Sequence, residues 1–70
     1  MPVSVFPPLP ANLWWEVHNI YKTHHSVSAV RKRKFFGSES VKTIVCDVHE
    51  IQEAAQLVAR YINKEFSDNL

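Results

Sequence analysis

Val41-Lys42-Thr43-Ile44-Val45-Cys46-Asp47-Val48-His49-Glu50 runs from a β-branched strand straight into the start of a helix. The run up to Cys46 is rich in residues that suit a pleated surface. Asp47 is positioned to accept hydrogen bonds from the first free N–H groups of a helix. Glu50, three residues on, reaches back to the Asp47 backbone as a capping box. Cys46 before the cap and Ile51 after it occupy the two positions of a hydrophobic staple. The helix that follows runs from about Val48 to Phe66. Ile51, Ala54, Ala55, Val58, Ile62 and Phe66 fall on one apolar face, while Gln52, Glu53, Gln56, Arg60, Asn63 and Lys64 face water. The two alanines allow close approach to a sheet. Ser67 to Leu70 are expected to fray.

Working outward, residues 27–36 precede this strand: Val27-Ser28-Ala29-Val30-Arg31-Lys32-Arg33-Lys34-Phe35-Phe36, followed by Gly37-Ser38-Glu39-Ser40. The preferred reading is a strand that pairs with Val41–Cys46 through a turn at Gly37–Ser40. The competing reading is a helix capped by Ser26 and ended by Gly37, which would make Asn12–Phe36 a helix-turn-helix. Upstream, Asn12 is a plausible N-cap for a first helix running to about Thr23. Leu13, Val17, Ile20 and Tyr21 would form its inward stripe. Trp14 and Trp15 are adjacent, so on a helix they point about 100° apart and cannot both be buried. Either one fills the core and the other covers the proline-rich arm, or one of them is an interface anchor. Residues 1–11 hold all four prolines and read as an extended arm, either a lead-in stacked on an aromatic of its own domain or a short proline-rich ligand at Pro7-Pro8-Leu9-Pro10. The predicted fold is therefore a small α+β domain over residues 12–66, in the order helix–strand–strand–helix, with an antiparallel hairpin packed on two helices.

Seventy residues suffice for one domain with a thin core, burying only about 60% of the unfolded surface. A formal net charge of +1 argues against a general nucleic-acid coat. The lone Cys46 excludes an internal disulfide and a four-thiolate zinc site, and fits a reducing cytoplasm. The N-terminus has no basic and apolar signal pattern, and no apolar run of about 18 residues is present. His18, His24, His25 and His49 fit no metal-ligand spacing. No metal, cofactor or catalytic constellation is expected, and Cys46 reads as a small core residue.

The chemistry that stands out is the run Arg31-Lys32-Arg33-Lys34 followed by Phe35. Such a basic hairpin can guard a sheet edge against aggregation, meet an acidic protein surface or enter a nucleic-acid groove. With Trp14 and Trp15 it supplies the candidate partner-binding residues: Trp14, Trp15, Arg31, Lys32, Arg33, Lys34 and Phe35.

The segment Val41–Ile62, a hairpin feeding a helix with the step Glu53-Ala54-Ala55, resembles in layout very small phage-encoded regulators. Some of these bind and redirect host RNA polymerase and others block host defence complexes. That resemblance covers about a third of the chain and assigns no functional residue. The hairpin and capped helix also look like the wing and following helix of excisionase-type DNA-binding domains, although the first half lacks a two-helix reader. The expectation is a non-enzymatic, monomeric regulator that binds a larger protein machine, with RNA polymerase the leading candidate and transcription altered by occlusion or factor displacement. Direct nucleic-acid binding through the basic hairpin is the alternative.

Overall fold

The computed structural model describes residues 6–68, with side chains placed for residues 6–66. Three strands, β1 (Leu13–Tyr21), β2 (His24–Lys32) and β3 (Ser38–Asp47), form an antiparallel meander in the order β1-β2-β3. A single turn of 3-10 helix, Val48–Glu50, leads into one long helix, α1 (Ile51–Asp68).

Among the described residues no helix precedes the strands, so the predicted helix–strand–strand–helix order with two packing helices is incorrect. Residues 12–23 form β1 and the turn after it. The stretch from Leu13 to Ile20 supports both periods, because Leu13, Val17 and Ile20 suit a helix while Leu13, Trp15 and Val17 alternate. Two tryptophans, a valine, an isoleucine and a tyrosine tip the balance toward a strand. Asn12 is not an N-cap: it sits at φ 77, in the left-handed region that Asn tolerates. Lys22, at φ 51, shapes the tight reversal between β1 and β2.

The β2–β3 hairpin is present, but its turn lies four residues earlier than Gly37–Ser40. Lys32 already pairs with Ser38, and the Arg33 N–H donates to the Gly37 carbonyl at 3.0 Å. Gly37 takes φ 65, a left-handed conformation that closes the loop at little cost for glycine. A bulge at Val41, between the pairs Ala29–Lys42 and Val30–Ser40, brings both Val41 and Lys42 to the helix side of β3.

The strand-to-helix junction forms as read from the sequence. The Asp47 side chain accepts from the His49 N–H at 3.1 Å, and the Asp47 N–H donates to Glu50 at 3.2 Å. Thr23, in the β1–β2 turn, donates a further bond to Asp47 at 2.9 Å. Cys46 and Ile51 pack on the same buried group, completing the staple. α1 rests on β2 and β3. Its buried face is Ala54, Ala55, Val58, Ala59 and Ile62, with Ile51 half-buried. Phe66 stays partly exposed beyond the sheet. Val27, Val58 and Ile62 are fully enclosed, each contributing about 1.5–3 kcal/mol of burial.

Because α1 covers only two strands, the helix-facing side of β1 needs another cover. Residues 6–10 supply it. Phe6 meets the Trp15 ring edge-on at 5.2 Å, Trp15 Nε1 donates to the Pro7 carbonyl at 2.8 Å, and Leu9 packs beside Ala29, Val58 and Ile62. Of the predicted arm, residues 1–5 lie outside the described residues. The described remainder is part of the core. The expected fray at 67–70 also falls partly outside them, with α1 continuing to Asp68.

Candidate binding surface at the hairpin end

Ala29 is the last β2 side chain of the helix-facing core. Two residues on, Arg31 lies on the same face but past the region that α1 covers, and its guanidinium turns to Glu39 on β3 at 2.7 Å. Arg33 approaches the same carboxylate at 3.6 Å. Glu39 therefore neutralises part of the basic run and holds the two strands together at their open end. Lys32 and Lys34 have no ion-pair partner among the described residues. The Lys34 ammonium lies 5.8 Å from the centre of the Phe35 ring. Phe35 and Phe36, at the tip of the loop, are 81% and 84% exposed. Exposed adjacent phenylalanines at the end of a well-formed hairpin are unusual for a soluble surface, where large apolar groups are normally scattered.

Trp14 joins this end from β1, opposite Val30 on the sheet face that carries no helix. It is 40% exposed, and its Nε1 donates to Glu16 at 2.8 Å. Between Trp14, the basic run and Phe66 at the end of α1 lies an open groove of about 700 Å³. A second hollow, of about 650 Å³, is lined by Arg31 to Phe36 and Glu39. The structure thus gathers Trp14, Arg31, Lys32, Arg33, Lys34 and Phe35 at one end. Trp15 does not belong with them, because alternation along β1 sends it to the opposite face, into the core. Phe36 and Phe66 belong to this end and were missed. Phe36 had a signal, since it shares the loop with Phe35, whereas Phe66 reads from periodicity as core.

The electrostatics elsewhere are quiet. Hydrogen bonds from Trp14 and then His18 hold the Glu16 carboxyl below its ordinary range. Burial, followed by the nearby Glu50 and Asp47 carboxylates, holds the Cys46 thiol above its ordinary range, the reverse of what an attacking thiolate requires. A hydrogen bond to Glu65 raises Tyr61, and Lys42 lies 4.6 Å over the Tyr61 ring. Among the described residues, no group of three or more His, Cys, Asp or Glu side chains is placed to hold a metal ion. No helix among them is long and apolar enough to cross a membrane. No protein-family model, curated protein or solved structure matches the chain.

Proposed function

We propose that this chain is a small, non-enzymatic, cytoplasmic binding protein that docks the end of its β2–β3 hairpin into an acidic, apolar-floored cleft of a larger protein. The observation that carries the reading is the exposed pair Phe35–Phe36 beside four cations, with Trp14 lining the neighbouring groove that shares those cations. Burying two phenylalanine side chains from the exposed state offers about 3–6 kcal/mol before the costs of association. That makes them suitable anchors, and Lys32 and Lys34 provide steering toward carboxylates. Glu39 already engages Arg31 and Arg33, which leaves fewer cations for phosphates. The helix-free face of the sheet carries Glu16, Ser26, Ser28 and Thr43 rather than a basic stripe. Both features favour protein over nucleic acid.

RNA polymerase is the first partner to test, given the layout of Val41–Ile62. Binding there would act by covering a site that another factor needs. The second reading, single-stranded nucleic acid, draws on the grouping of Trp14, Phe35 and Phe36 with lysines, since aromatic platforms beside cations stack bases. The test is co-elution of the chain with purified multisubunit RNA polymerase, repeated with Phe35→Ala/Phe36→Ala. The proposal expects a complex that the double substitution abolishes while the melting temperature is unchanged. No complex with the polymerase removes that candidate, and nanomolar binding to DNA or RNA would replace the protein reading altogether.

A further inference from the structure

β1 forms one edge of the sheet, and no other strand among the described residues lies along its outer side. Natural edge strands are usually guarded by lysine, proline or a bulge. From Leu13 to Asn19, β1 has none of these, and its pairing with β2 becomes irregular only past Asn19. Trp14, Val17, Ile20 and Tyr21 are all exposed on it.

The chemistry of this strand is symmetric about Val17. Laid antiparallel against an identical strand with Val17 on the two-fold axis, Trp14 falls opposite Ile20, Trp15 opposite Asn19 and Glu16 opposite His18. The two valines meet at the centre. Within one chain, Glu16 and His18 already stand side by side on the helix-free face, with Nε2 3.0 Å from the carboxylate. The second copy would turn this pair into a square in which each carboxylate has an imidazole both along its own strand and across from it. That arrangement is favourable with neutral histidines as hydrogen-bond partners, and more so with protonated ones. Apolar pairs of Trp14 with Ile20 close the square at both ends. A register displaced by two residues loses this match by setting like groups opposite one another.

We propose that the occupant of the β1 edge is a second copy of this chain, joined in an isologous dimer with a continuous six-stranded antiparallel sheet. The expectation from the sequence is a monomer, but the edge is self-complementary. The contact lies along β1 and does not involve the hairpin tip, so it stands independently of the binding role proposed above. Because it turns one protomer about Val17, it sets the two tips at opposite ends of the dimer and makes the assembly bivalent.

A strand-edge contact is smaller than a standard protein interface, so a dissociation constant of about 10–100 µM is expected. The test is sedimentation equilibrium of the full chain across that concentration range, with circular dichroism as the control for folding. The wild type should approach twice 8.1 kDa. Val17→Lys, which sets two ammonium groups face to face on the axis, should raise the dissociation constant about tenfold or more. Glu16→Lys should weaken association, as should His18→Glu, and the double substitution Glu16→Lys/His18→Glu should restore it by reversing the square. A monomer at every concentration, an assembly larger than two, or a double substitution no tighter than either single one would each overturn the proposal.

Discussion

Replacing Trp15 with alanine tests the architecture where the sequence was hardest to read. On the predicted first helix Trp15 lies outside the inward stripe of Leu13, Val17, Ile20 and Tyr21. In the structure it is the pin that fastens residues 6–10 over the part of the sheet that α1 leaves uncovered. A tryptophan exposes about 150–250 Å² when free, so half-burial removes roughly 100 Å² from water, or about 2.5 kcal/mol. The edge-on contact with Phe6 adds about 1 kcal/mol, and the bond to the Pro7 carbonyl about 1 kcal/mol more. The loss should reach about 4.5 kcal/mol, against a total stability of roughly 3.5–10 kcal/mol for a chain this long. Urea unfolding of Trp15→Ala, Phe6→Ala and the double variant measures both the cost and the coupling. The two single costs should exceed that of the double variant by about 1 kcal/mol, because they share the ring contact. A Trp15→Ala cost below about 1 kcal/mol, with additive single effects, would show that residues 6–10 do not close the core.

Three other outcomes follow from the same geometry. Asp47→Ala removes the cap that joins β3 to the helix and should lower the melting temperature by about 4–8 °C without changing partner affinity measured on folded protein. The hydrogen bond from the His49 N–H, and next that from Thr23, hold the Asp47 carboxyl below its ordinary range. Its contribution is therefore complete above the unfolded carboxylate range and is lost as pH falls through the lower, folded value, so acid melts of wild type and Asp47→Ala should converge. Lys32→Gln/Lys34→Gln should slow association with the partner and flatten its salt dependence in surface plasmon resonance, whereas Phe35→Ala/Phe36→Ala should mainly speed dissociation; an unchanged on-rate for the lysine variant would show that these cations do not steer docking. Gel shifts at physiological salt should show no duplex DNA or RNA binding tighter than about 10⁻⁴–10⁻⁶ M, the non-specific range.

The second half of the chain was legible because several local signals agree there. Asp47 and Glu50 cap, Cys46 and Ile51 staple, and Ala54, Ala55, Val58 and Ile62 repeat at helical spacing. The first half was not, because Leu13–Tyr21 carries apolar residues at spacings that satisfy both periods. The pairing with β2 that decides between them is a non-local interaction. Once β1 is a strand, the two tryptophans separate by alternation, Trp15 inward and Trp14 outward. That single change accounts for the one candidate site residue that lies in the core. The position of the β2–β3 turn was misplaced because Gly37 looks like its beginning, whereas its left-handed backbone closes the loop. The basic run was plain in the sequence. The Glu39 carboxylate that engages two of its four cations was not, because that contact depends on the hairpin register.

Site-specific crosslinking tests the proposed binding role most directly. A photoreactive amino acid placed at Phe36, in the hairpin tip, is compared with one placed at His49, beside the opposite end of β3 and at the start of the helix segment. Each labelled chain is irradiated with RNA polymerase, or with whichever purified partner co-elutes. Transfer to one polymerase region from position 36, absent from position 49, lost with Phe35→Ala and slowed with Lys32→Gln/Lys34→Gln, is the result the docking proposal predicts. Transfer from position 49 with none from position 36 would contradict it and place the binding surface at the other end of the molecule.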